Sequence, residues 1–243
     1  MKPSNPSPAQ TPIRTRIKIC GLTREADVDA AVAGGADAIG FVLYAASARA
    51  VSVERAAQLA RRLPPFVSPV LLFVNHDDAF VAQAFAAVPH AYAQFHGDES
   101  PLQCLSLSQN GVRPYLRAAR IPLGDAGQGF DLVKYAHDYS HAQALLLDAH
   151  VDGFGGSGKA FNWSLLPLNV NAHLVLSGGL TAANVADGIA QLRPRCKTLA
   201  VDVSSGVEAD GPRGSTLKGI KDPKKINQFV AAVRAADQHL AGL

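Results

Sequence analysis

The chain has 243 residues, 48% hydrophobic and 18% charged, which supplies a full core and excludes a disordered chain. Its net charge of +3 is small and its signs are interspersed, so no basic stripe points to nucleic acid, while a small acidic substrate stays compatible. Three well-separated cysteines, Cys20, Cys104 and Cys196, argue against a disulfide framework and for a reducing compartment, and no CxxC pair or His cluster suggests zinc.

The opening stretch MKPSNPSPAQTPIRTR is rich in Pro, Ser and Thr and has no apolar h-region, so it resembles neither a signal peptide nor a membrane anchor. Residues 1–15 are expected to be a disordered extension and residues 16–243 one catalytic domain of a cytoplasmic protein. From Arg16 onward, short β-branched and apolar runs alternate with segments of helical period, the pattern of parallel strands joined by crossover helices.

RIKI is the first strand, and EADVDAAVAGG is a helix with Val28, Ala31 and Val32 on one face and a glycine stop. DAIGFVLY is strand two, SVERAAQLARRLPP a helix ended by Pro64 and Pro65, and SPVLLFV strand three. DDAFVAQAFAAV, AYAQF, ESPLQCLSLSQ, VRPYLRA, FDLVKYAHDY and QALLLD continue the alternation to strand six. A weak helix at NWSLLPL precedes strand HLVLS, helix TAANVADGIAQL, strand TLAVDVS and the last helix, KKINQFVAAVRAADQHL. Eight strands alternating with eight helices over this length specify an α/β protein made of a single (β/α)8 TIM barrel. The competitor, an open doubly wound sheet, would carry a dinucleotide fingerprint after strand one, where CGLTRE has none.

In such a barrel the chemistry sits just past the strand ends. Those positions hold Cys20 and Gly21, Arg49, Asn75, His96 and Gly97, Asp148, Ser177 with Gly178 and Gly179, and Asp202 with Ser204, Ser205 and Gly206. Glycines cluster in DGFGGSGKAF, SGGLTAAN and DVSSGVEADG, where bare backbone N–H groups before helices suit an anion, so a phosphorylated small molecule is expected. GFGGSGKA has P-loop spacing, but Ala160 stands where a Ser or Thr would ligate magnesium, which argues against nucleotide hydrolysis. Asp148 ends an apolar run, where desolvation would keep a proton available to a general acid; a helix cap or an ion-pair partner is the plainer alternative. Cys20 reads as an inert buried thiol, a nucleophile with His96 as its one strand-end partner, or a base ionised near neutrality by an adjoining anion site. Arg49 is equally compatible with a surface charge.

The motifs KICGLT, GADAIGFV with SAR behind it, QFHGDE, LLLDA, GGSGKAFNW, LSGGL and VDVSSGVE stand in order across the chain after Arg16, and with KGIKDPKKI they resemble phosphoribosylanthranilate isomerase of tryptophan biosynthesis. The resemblance implies an Amadori rearrangement of N-(5-phosphoribosyl)anthranilate to 1-(2-carboxyphenylamino)-1-deoxyribulose 5-phosphate. It implies no metal or organic cofactor, no nucleic-acid or membrane partner, and a monomer or homodimer. By the same resemblance Asp148 is the general acid that opens the ribofuranose ring and Cys20 the base that takes the C2 proton. Arg49 would hold the anthranilate carboxylate, Asp202 would lie near the sugar hydroxyls, and the backbone of Gly156, Ser157, Gly158, Gly178, Gly179, Ser205 and Gly206 would cradle the phosphate.

Ala45 and Ala50 depart from the proline and the bulky residue that relatives commonly carry around Arg49. The related isomerase of histidine biosynthesis uses an aspartate pair, so Cys20 speaks against it. Indole-glycerol-phosphate synthase needs a strand-end lysine and glutamate, and only Lys18 is near. A barrel that binds phosphate without turnover is the remaining alternative.

Overall fold

A computed structural model describes residues 14–123, 129–150, 163, 166–168 and 170–242. Strands β1 (Arg16–Cys20), β2 (Ala38–Val42), β3 (Ser68–Phe73), β4 (Tyr92–Phe95), β5 (Tyr115–Pro122), β6 (Ala144–His150), β7 (His173–Leu176) and β8 (Thr198–Val203) form a closed barrel in chain order. The ring is sealed by parallel pairing of β1 with β8, Ile17 opposite Val201 and Ile19 opposite Val203, which an open sheet lacks. The helices are α1 (Glu25–Ala33), α2 (Val53–Ala60), α3 (Asp78–Ala87), α4 (Pro101–Leu107), α5 (Leu132–Asp138), α6 (Val185–Leu192) and α7 (Pro223–Ala241). Among the described residues none is long and apolar enough to cross a membrane.

Three details differ from the sequence expectations. The fifth strand begins at Tyr115 and runs to Pro122 instead of covering 112–118. Helix α6 starts at Val185, not Thr181, because Asn184 accepts the Thr181 N–H and donates to the Gly179 carbonyl, folding 181–184 into a turn. Between β8 and the last helix lies an antiparallel hairpin, β9 (Glu208–Asp210) with β10 (Thr216–Lys221), that was not expected. Within the expected helix at 162–168, residues 162, 164 and 165 lie outside the described residues.

Side chains alternate across each strand. Ile17, Ile19, Ile39, Phe41, Leu71, Phe73, Leu145, Leu147, Val201 and Val203 join the layer between barrel and helices. The buried alternates Cys20, Val42, Leu72 and Val74 form a separate cluster, and Ala118, Leu146 and Val175 another. Each buried Ile or Leu of the outer layer contributes about 1.5–3 kcal/mol by the area it takes from water. The alternation also fixes the site. In β1 the residues out of phase with Ile17 and Ile19 are Lys18 and Cys20, and in β4 they are Gln94 and, just past its end, His96.

Packing reaches one residue before the expected start of the domain. Thr15 is fully buried, and Asp237 of α7 accepts from its backbone N–H at 2.9 Å and its hydroxyl at 2.6 Å while also accepting from Arg193. Burial alone would push the Asp237 carboxyl up, but the Thr15 donors and Arg193 outweigh it and hold it below 3.8. Asp237→Asn is expected to cost about 2–3 kcal/mol, because an amide offers one acceptor to donors that now meet an NH2 group. Thermal unfolding should register a drop of about 5–10 °C. Since the folded value is the lower one, the wild-type advantage should be complete above the ordinary carboxylate range and vanish as pH falls through the folded value.

Candidate active site

A cleft of about 710 Å³, counting its open mouth, lies at the C-terminal ends of the strands. Cys20, Tyr44, Arg49, Gln94, His96, Asp148, Ser177, Gly178, Gly179, Asp202, Ser204 and Ser205 line it, over the apolar side chains of Val42, Leu72 and Leu180. Cys20, Arg49, Asp148 and Asp202, together with the later glycines, are thus brought to one place. Asn75 and Gly97 are not part of it: the Asn75 side chain accepts the Asp98 N–H, and Gly97 donates to Glu99. The Glu99–Arg117 ion pair at 2.8 Å, with Arg117 also on the Phe95 and Gly97 carbonyls, clamps the loop that carries His96.

Cys20 is 5% exposed and lies beside a buried ion pair, Lys18 Nζ to Asp202 Oδ1 at 2.8 Å. The Ser177 hydroxyl donates to the other Asp202 oxygen at 3.1 Å. Gly40 on β2 makes room for both groups: a β-carbon there would stand 2.7 Å from Cys20 Sγ and 3.1 Å from Lys18 Cε. Burial works against the Lys18 ammonium, but Asp202 and Cys20 outweigh it and keep the charge. For Cys20 burial wins, and the thiol is pushed above 9.0 despite the opposing pull of Lys18. Ionisation near neutrality, one of the readings of Cys20 from the sequence, is therefore opposed by burial, and the thiolate depends on Lys18.

Lys18→Met is accordingly expected to move Cys20 alkylation by iodoacetamide to higher pH and to slow it at any given pH. Cys104 and Cys196, pushed up by burial to about 12 and about 11, give little background. The variant should also lose about 3–5 kcal/mol of stability, because Asp202 is left buried without its counter-ion.

Across the cleft Asp148, 6% exposed, accepts the Ala149 N–H on Oδ1 at 2.9 Å and meets His96 Nε2 with Oδ2 at 3.1 Å. His96 Nδ1 lies 2.9 Å from Gln94 Nε2, so the histidine is tied to the aspartate and not to the cysteine. Gly178 has φ of +78°, and a β-carbon on it would come within 2.7 Å of Asp148 Oδ1, so this turn requires glycine.

Arg49 is held in the cleft although Ala45 and Ala50 flank its loop. The loop returns to β2 through a Val42–Ala50 bridge, and the Ser47 hydroxyl accepts the Arg49 N–H. The guanidinium grips Glu208 of β9 from one side, Nε to Oε1 at 2.6 Å and Nη2 to Oε2 at 2.9 Å. Burial would raise Glu208, yet Arg49, Lys221 and the Gly219 N–H together lower it, so the pair stays charged. A guanidinium used along one edge keeps its Nη1/Nη2 edge for a second carboxylate.

In the two last loops, Gly178 and Gly179 have amide N–H groups with no partner among the described residues. Ser205 and Gly206 stand in the turn after β8, where a side chain on Gly206 would collide with the Leu180 carbonyl, so the loops after β7 and β8 touch. Gly156, Ser157 and Gly158 lie outside the described residues.

A family model described as N-(5'phosphoribosyl)anthranilate (PRA) isomerase matches residues 17–232. The chain belongs to that family. It is 58% identical over 229 residues to the N-(5'-phosphoribosyl)anthranilate isomerase of Methylibium petroleiphilum, covering 94% of this chain and 98% of the relative. With the Leptothrix cholodnii enzyme of the same name it shares 56% over 227 residues, 93% of this chain and 94% of the other. The phosphoribosyl anthranilate isomerase of Thermotoga maritima superposes with a TM-score of 0.75 at 35% identity, over 91% of this chain and 99% of that one. A further phosphoribosyl anthranilate isomerase structure, TM-score 0.70 at 31% identity and with the same coverage, was solved with reduced 1-(o-carboxyphenylamino)-1-deoxyribulose 5-phosphate. Sequence reasoning alone did not single out Lys18 as the neighbour of Cys20, nor Gln94 and Glu208 as supports for His96 and Arg49 in this PRA isomerase family member. Their one visible signal was a charged or amide side chain in phase with a catalytic candidate, Lys18 two residues before Cys20 and Gln94 two before His96.

Proposed function

We propose that this barrel isomerises N-(5'-phosphoribosyl)anthranilate to 1-(2-carboxyphenylamino)-1-deoxyribulose 5-phosphate, with Asp148 as acid and Cys20 as base. The observation that carries this reading is that a carboxyl and a thiol line one cleft, each with its own buried support, His96 for Asp148 and Lys18 for Cys20. Asp148 gives its proton to the furanose ring oxygen, the C1–O bond breaks, and the anilino nitrogen pair forms a C1=N iminium. The Cys20 thiolate then removes the C2 proton, and those electrons form C1=C2 while neutralising the nitrogen. Protonation at C1 and loss of the C2 hydroxyl proton give the ketone. Lys18 stabilises the thiolate that the second step needs.

The free edge of Arg49 takes the anthranilate carboxylate, and the Gly178, Gly179, Ser205 and Gly206 backbone, with Gly156, Ser157 and Gly158, takes the phosphate. Asp202, both of whose oxygens are engaged, keeps Lys18 and Ser177 in place at the sugar. Titrating the reduced product should find one site per chain, and Arg49→Ala should weaken it by about 2–3 kcal/mol. Unchanged affinity in the variant would move the carboxylate to another residue, and no binding to the wild type would remove the reading.

A further inference from the structure

We infer that Gln94 is a positioning residue that works by turning: its side-chain amide selects the His96 tautomer and so matches the ring to each protonation state of Asp148. The inference rests on Asp148 being the acid of the reaction proposed above. Gln94 is fully buried, its Nε2 is 2.9 Å from His96 Nδ1, and its Oε1 has no hydrogen-bond partner among the described residues. A buried amide is ordinarily pinned by partners at both ends. Here the amide is held by one end only, so a half-turn exchanges one hydrogen bond for another and loses none.

With Nε2 toward the ring, Nδ1 is the acceptor, the proton sits on Nε2, and His96 donates to Asp148 Oδ2 across 3.1 Å, an arrangement that suits a carboxylate. With Oε1 toward the ring, Nδ1–H donates to the amide and the bare Nε2 accepts from Asp148 O–H, which suits the acid. The first state holds one proton on the pair of groups and the second holds two. The difference is one proton, which reaches the furanose oxygen when the Asp148 O–H turns from Nε2 to the substrate. The ring's own proton changes nitrogen by exchange with water in the cleft, which both Gln94 and His96 line.

Gln94→Glu separates this role from simple propping of the ring. A carboxylate at this position can only accept, so it holds Nδ1–H as firmly as the amide does and forbids the other state. It should lower kcat by at least about tenfold and change KM by less than about threefold. A kcat equal to that of the wild type would overturn the inference. The second measurement needs neither turnover nor that variant: imidazole 15N shifts, with His96 assigned by its loss in His96→Asn. The empty wild type at neutral pH should show Nε2–H. Asp148→Asn, whose side-chain NH2 donates to Nε2 as the acid would, should show Nδ1–H. An unchanged Nε2–H form in Asp148→Asn would overturn the inference even if wild-type turnover upholds the isomerase reading, and loss of wild-type turnover alone would strike that reading first.

Discussion

Asp148→Ala is expected to lower kcat by about 10²–10⁴-fold while leaving product affinity close to that of the wild type. At 1.36 kcal/mol per factor of ten, this is about 3–5 kcal/mol of transition-state stabilisation lost from one carboxyl. The leaving ring oxygen would depart as an alkoxide without it. The fold should tolerate the change, since the neighbours that lose a contact are the His96 ring, still held by Gln94, and the Ala149 N–H. Steady-state kinetics with a folded control by circular dichroism reads the result. Turnover within a fewfold of the wild type would remove Asp148 from the acid role.

Cys20→Ala is expected to be as severe, about 10²–10⁴-fold in kcat, because the other acceptor in the described cleft beside the Lys18 ammonium, Asp202, already has both oxygens engaged by Lys18 and Ser177. Its stability cost should be small, since the Sγ atom is a minor part of the layer formed with Val42, Leu72 and Val74. Cys20→Ser is the sharper variant. It keeps shape and a hydroxyl, but a buried hydroxyl does not ionise in the range where a thiol beside Lys18 can, so it should also be inactive. Activity in the serine variant would show that hydrogen bonding, and not proton abstraction, is what the position provides.

Much of this was legible in the sequence, for physical reasons that also explain what was not. Strands and helices of opposite period announce themselves locally, and once β1 was placed at Arg16 the strand-end rule put Cys20 at the mouth of the barrel. The same rule found Asp148, Arg49 and Asp202, which the structure gathers in one cleft. Electrostatics is not local in this way. Arg49 and its partner Glu208 are 159 residues apart, and Lys18 and Asp202 are 184 apart, so no window of sequence shows either pair. The raised Cys20 thiol has the same origin, because burial by the closed barrel outweighs a charge two residues away. The β9–β10 hairpin was missed because Glu208–Asp210 is three residues long and polar, with no apolar alternation to read. Its position matters, since it carries Glu208 to Arg49.

The central claim is that the cleft turns its substrate over and does not merely hold it. Freshly made phosphoribosylanthranilate loses its fluorescence on conversion, so adding the wild-type chain should accelerate that loss in proportion to protein concentration, with no metal or cofactor added. Decay at the rate of buffer alone, from a protein that still binds the reduced product, would contradict the account and leave a phosphate-binding barrel without catalysis.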